Sequence, residues 1–136
     1  MYLKYKESLI ALFGVILFTV FETIYAGTYV NESEDFGCTW TVLPETQEIE
    51  FEMWATVTGY VSIGWGPSEL MAEADAVVGW VDDTTGEVGI VDIWMPEYYG
   101  DLDPIQNAVL VSGYQDSDAI KTSITFRRKY ATGDGN

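Results

Sequence analysis

Carboxylates and aromatic rings dominate the residues of this sequence that could do chemistry. Asp75, Asp92, Asp101 and Asp103 could form a hard-oxygen site if loops gather them, since Ca²⁺ takes roughly six to eight oxygens from carboxylates and carbonyls. Their spacing is not that of an EF-hand loop. Trp54 and Trp65, with Tyr98 and Tyr99, could make an aromatic platform on which the apolar face of a sugar stacks while nearby carboxylates hold its hydroxyls. Glycosidase chemistry needs two carboxylates placed across a cleft. No pair here is marked by its pattern, so no catalysis is expected of the chain.

What is missing narrows the chemistry further. The chain of 136 residues has no His and a single Cys, which removes Ser-His-Asp hydrolysis, His-ligated zinc, bis-imidazole haem and Cys-rich metal centres. With 6 Lys+Arg against 22 Asp+Glu, the formal net charge is −16. Such a surface repels phosphate backbones and anionic lipid heads, so neither nucleic acid nor a peripheral membrane is an expected partner. Asp75 and Asp92 also carry a plainer reading. They lie in otherwise apolar strands, so each must pair or accept backbone hydrogen bonds if buried, and Arg127 or Arg128 could serve.

The elements that must position these groups read as strands. In Glu48–Val57 the residues Ile49, Phe51, Met53, Ala55 and Val57 alternate with polar ones and Trp54, the period of a half-buried antiparallel strand. The same pattern predicts strands near Thr39–Leu43, Tyr60–Trp65, Ala76–Val81, Val88–Trp94, Ala108–Tyr114 and Ile120–Lys129, with turn clusters between them. No amphipathic helix appears. At 48% hydrophobic and 15% aromatic, the chain can bury one core, and the expected fold is all-β: an antiparallel, immunoglobulin-like β-sandwich of about 7–9 strands. Pro96–Gln106 is the longest loop, and such loops at a sandwich end are where binding surfaces are usually carried.

Residues 1–26 read as a leader: Lys4 and Lys6, an apolar run from Leu9 to Phe21, then Thr23-Ile24-Tyr25-Ala26. The run is 13 residues, short of the roughly 20 that span a bilayer, so a cleaved signal peptide ending at Ala26 is expected, with residues 27–136 as the mature domain. No membrane span then remains, and the domain is expected to be extracellular. Asn31-Glu32-Ser33 becomes a candidate N-glycosylation sequon. The unpaired Cys38 is either buried as a small hydrophobe, the first expectation beside Trp40, or bonded to another chain, or a sign of a missing segment.

Residues 37 to 134 carry an ordered set of motifs: Cys38-Thr39-Trp40, the strand end Gly59-Tyr60-Val61-Ser62-Ile63-Gly64-Trp65-Gly66, and Met71 followed by Ala74-Asp75-Ala76-Val77-Val78-Gly79-Trp80-Val81. Further along come Val91-Asp92-Ile93, Asp103 before Gln106, Ser112-Gly113, and Thr125-Phe126-Arg127-Arg128 leading to Thr132-Gly133-Asp134. In this order they resemble a DOMON domain, the extracellular β-sandwich module of dopamine beta-monooxygenase relatives and secreted cytochromes.

The resemblance implies a binding module for a small ligand, haem or carbohydrate, near Met71 and the Pro96–Gln106 loop. Met71 lines up with the axial ligand of haem-binding members, and a thioether suits an electron-transfer haem b. Those members usually supply His as second ligand. Here a deprotonated Lys amine would have to replace it, and Lys121 and Lys129 lie on the last strand with one parity. Two alternatives stand beside this reading. One is the N-terminal module of a longer copper monooxygenase-like or membrane-cytochrome chain, which could not run copper chemistry on residues 1–136 without His. The other is an extracellular structural or interaction domain with no small ligand, in which Met71 only packs.

Overall fold

The computed structural model describes residues 25–66 and 72–132. Among the described residues nine strands form two antiparallel sheets and there is no helix: β1 Ala26–Val30, β2 Phe36–Leu43, β3 Glu48–Ala55, β4 Tyr60–Trp65, β5 Ala74–Val81, β6 Val88–Met95, β7 Asp101–Leu102, β8 Val109–Asp116 and β9 Lys121–Lys129. The five-stranded sheet runs β1-β2-β3-β9-β8 and the four-stranded sheet β4-β5-β6-β7. The alternation read from β3 is the one the fold uses: Phe51, Met53 and Ala55 are buried while Glu52 is exposed. Their partners across the sandwich are Val61, Val77 and Val81, and Ile124 and Phe126 join them from β9. Removing these apolar faces from water is what holds the sheets together, at roughly 1.5–3 kcal/mol per fully buried large aliphatic or aromatic side chain.

Three tryptophans close gaps left by glycine. Gly27 stands directly opposite Trp40, Gly37 opposite Trp54, and Gly89 opposite Trp80. At each glycine an added Cβ would lie within 2.5 Å of the facing indole, so the ring lies flat over its neighbour's bare backbone. Trp54, which alternation assigns to the outer face of β3, is therefore occupied by Gly37 beneath it and by Lys121, whose Nζ sits 4.4 Å from the ring centroid. The other two of the five tryptophans, Trp65 and Trp94, have a different task.

The strand β9 concentrates the positive charge. All the Lys and Arg among the described residues, Lys121, Arg127, Arg128 and Lys129, lie on it. Arg127 points outward to Glu50, its direct cross-strand partner, at 2.8 Å. Arg128 has the inward parity of Ile124 and Phe126, which carries its charge to one end of the space between the sheets.

Two strands are absent from the alternation pattern. β1 opens at Ala26, the expected last residue of the leader, and β7 is a two-residue strand inside the long loop. Residues 1–24 of the expected leader lie outside the described residues, as does Met71.

Candidate functional site

In a two-sheet antiparallel sandwich the ends of β4, β6 and β9 meet the starts of β3 and β5. Here they enclose a cavity of about 480 Å³. Phe51, Trp65, Trp94 and Tyr130 supply its aromatic wall, and Glu73, Asp75, Arg128 and Lys129 its charges. Register explains the grouping. Asp75 on β5 is paired with Trp65 of β4 on one side and Trp94 of β6 on the other, so a carboxylate sits between two indoles across one row of the sheet.

Arg128 reaches this row from the opposite sheet. Its Nη2 donates to Asp75 Oδ2, and both side chains are about nine-tenths buried, with relative exposures of 10% and 11%. Its guanidinium also lies 4.9 Å from the centroid of Trp65, a stacking geometry that a planar cation favours. Trp65 is held in turn by edge contacts with Phe51 and Phe126, at centroid distances of 5.2 and 6.5 Å, and those two rings stack on each other. The ion pair is thus fixed from both sides before any ligand arrives.

Asp92 lies one diagonal step from Asp75, because its cross-strand partner is Val77. Fully buried, it accepts a 3.1 Å hydrogen bond from the Asn107 amide at Oδ2. Burial, with the charge of Asp75 adding to it, pushes the Asp92 carboxyl up to about 6, against the opposing pull of the Asn107 amide and Arg128. Gln106 clamps the backbone of the same residue, accepting from Asp92 N–H at 2.8 Å and donating to Asp92 C=O at 2.9 Å. The long loop is anchored to β6 at this point.

The expected site residues separate. Trp65, Asp75 and Lys129 line the cavity. Met71 lies outside the described residues, although Gly66 and Glu73, the cavity residues nearest to it in sequence, lie on either side of it. Lys121 is on the outer sheet face over Trp54, with Lys129 at the far end of the same strand. Tyr98 and Tyr99 are exposed, at 71% and 58%, and do not line the cavity. Asp101 is exposed on β7, while Asp103 is buried in the loop and accepts a 2.8 Å hydrogen bond from the Ile105 amide. Among the described residues no three His, Cys, Asp or Glu side chains are gathered in a way that could hold a metal ion. The reading of Asp75 and Asp92 as strand carboxylates in need of partners is met by Arg128 and by the Asn107 amide. Trp94, Glu73 and Tyr130 were not singled out in the sequence, where only their position at strand ends distinguishes them.

A second, apolar groove of about 380 Å³ lies beside the first, lined by Tyr29, Phe36, Cys38, Trp40 and Ile63. Ile49, Phe51 and Trp65 border both spaces. Cys38 is buried here without a disulfide, and desolvation, aided by Glu52, pushes its thiol up to about 11.

Residues 32–136 match the sequence model of the DOMON domain. The chain belongs to the DOMON domain family. Among its relatives in Drosophila melanogaster, MOXD1 homolog 2 is 35% identical over 109 residues, which is 77% of this chain and 13% of that protein. MOXD1 homolog 1 is 28% identical over 102 residues, 70% of this chain and 14% of that protein. The DOMON chain therefore spans about one-seventh of the length of each relative. Among solved structures, the cytochrome b domain of pyranose dehydrogenase from Coprinopsis cinerea superposes with a TM-score of 0.55 at 16% identity, covering 75% of this chain and 53% of that one. That likeness is one of fold.

Proposed function

We propose that this DOMON domain is an extracellular binding module whose end cavity takes a small polyhydroxylated ligand of the carbohydrate class. The observation that carries the reading is the row Trp65, Asp75 and Trp94 with Arg128 above it. Indole faces stack on the apolar face of a sugar ring, while Glu73, Asp75 and Lys129 are at hand for its hydroxyls. The cavity is also of the size that small-ligand sites have, roughly 300–1,000 Å³.

Haem b is the second reading, favoured by the likeness to a cytochrome b domain. The donor set fits it less well. The chain has no His, and among the described lining residues Lys129 is the one nitrogen base able to ligate iron after deprotonation, with Met71 as its candidate thioether partner. Arg128 could receive a propionate.

Titrating the purified domain with neutral mono- and oligosaccharides while following tryptophan emission, and separately with haem while following the Soret band, distinguishes the two. Saturable quenching by a sugar, lost in Trp94→Ala, supports the first reading. A low-spin reduced haem spectrum that disappears in Met71→Ala overturns it in favour of the second.

The relatedness to MOXD1 homologues supports a further proposal, that the module works within a longer monooxygenase-like chain. Secretion is supported by the leader-like residues 1–26 and the sequon at Asn31. The Asn31 side chain organises its own turn, donating from Nδ2 to Ser33 and Asp35 and accepting from the Asp35 and Phe36 amides, so a glycan there would replace one of its donated hydrogen bonds. A mass shift on enzymatic deglycosylation of the secreted protein tests both proposals about export at once.

A further inference from the structure

We propose that Asp92 and Asp75 share one proton, and that Asp92, as a positioning residue, uses it to couple the Pro96–Asn107 loop to the wall of the end cavity. The geometry has three parts. First, Asp75 Oδ1 and Asp92 Oδ1 are both buried with no donor among the described residues, and the two residues are diagonal neighbours on the inner face of β5 and β6. Two undonated carboxylate oxygens on neighbouring residues of a dry interior would both be satisfied by one proton held between them.

Second, the remaining oxygens point in opposite directions. Asp92 Oδ2 accepts from the Asn107 amide at 3.1 Å, and Asp75 Oδ2 accepts from Arg128. Third, Arg128 lies over Trp65, and Arg128, Trp65 and Asp75 all line the cavity. A continuous path of contacts thus runs from the loop through Asp92 and Asp75 to the guanidinium and indole that shape the cavity wall.

The charged groups acting on Asp92 are Asp75 from β5 and Arg128 from β9. From the loop, Gln106 and Asn107 meet it with neutral amides, and the Asp103 amide donates to its backbone carbonyl at 3.2 Å. When the proton leaves to water, two adjacent carboxylates compete for the single guanidinium. Arg128 is then drawn from Trp65 towards Asp92, and the Asn107 contact strengthens. The desolvation that holds Asp92 near 6 sets where this happens. Ligand affinity in the cavity would inherit the same midpoint, a consequence that rests on the proposed use of the cavity.

The test needs no ligand, so its failure leaves the ligand reading untouched. The uniformly ¹³C,¹⁵N-labelled domain is titrated from pH 4.5 to 8 by NMR, following the Asp75 and Asp92 carboxyl carbons, the Asn107 amide, Arg128 Nε and the Trp65 indole N–H. The expected result is one midpoint near pH 6 shared by Asp92, Asn107, Arg128 and Trp65. In Asp92→Asn, whose amide can donate to Asp75 and accept from Asn107, that transition vanishes from Arg128 and Trp65. If Asp92 titrates in the ordinary carboxylate range, or if Arg128 and Trp65 stay flat while it titrates, the coupling does not exist. The wild-type titration decides this alone should the variant not fold.

Discussion

At the scale of single residues the most consequential feature is a buried ion pair. Removing one partner of such a pair leaves an uncompensated charge, at a cost of about 3–5 kcal/mol, whereas replacing both by apolar side chains can be nearly neutral. Arg128→Met is therefore expected to lower the urea-unfolding free energy by about 3 kcal/mol or more, and adding Asp75→Leu to recover most of it. Asp92 makes the opposite kind of contribution. Its folded value of about 6 lies above the ordinary 3.8, so the native state holds its proton more tightly. The stabilisation is complete below about pH 4 and is lost as pH rises through 6. Relative to Asp92→Asn, wild type should lose on the order of 2–3 kcal/mol between pH 4 and pH 7. The variant serves as the reference because Asp35 and Asp82, lowered respectively by the Asn31 side chain and the Thr85 amide, change in the other direction. Cys38, with its thiol pushed up to about 11, should resist a thiol reagent at pH 8 in the native state and react in full once unfolded in urea.

At the scale of elements, the loop from Pro96 to Asn107 is tied to β6 by backbone contacts and by one side chain in particular. Gln106 accepts from the N–H and donates to the C=O of Asp92, and truncating it leaves the buried N–H unpaired at about 1–3 kcal/mol, while the C=O keeps the Asp103 amide at 3.2 Å. Gln106→Ala should raise amide exchange at Asp92 and Asn107 well before it affects β3 or β9. Strict alternation made strands such as β3 and β9 legible in the sequence, since each buries one face. β1 was not, because four of its five residues are exposed and it begins where an apolar leader pattern ends. β7, at two residues, is too short to show any period. For the site, the need of Asp75 and Asp92 for partners could be read from polar residues in apolar strands, and Arg128 could be nominated. The roles of Glu73, Trp94 and Tyr130 could not, because they arise where strand ends from two sheets converge. Gln106 stood out only within the motif that carries the resemblance, and its role was hidden: its side chain reaches backbone, which leaves no pattern in the sequence.

For the whole molecule, the excess of 22 acidic over 6 basic residues sets a repulsive field against which the core must hold. The attractive terms on the surface are few. Arg127–Glu50 is a part-exposed pair, with side-chain exposures of 43% and 33%, and such pairs contribute only about 0–1 kcal/mol. Arg128–Asp75 is buried, so salt screens it little. Added salt should therefore remove more repulsion than attraction, and the thermal midpoint should rise with NaCl. Most of the rise should come below about 0.15 M, where the Debye length has already fallen to about 8 Å and repulsion between distant carboxylates is screened. For a domain of this size each 1 kcal/mol gained corresponds to roughly 3–6 °C, within reach of a calorimetric scan at low and physiological ionic strength. A midpoint that instead fell with salt would mean that the cations gathered on β9 stabilise the fold by more than the remaining acidic surface opposes it.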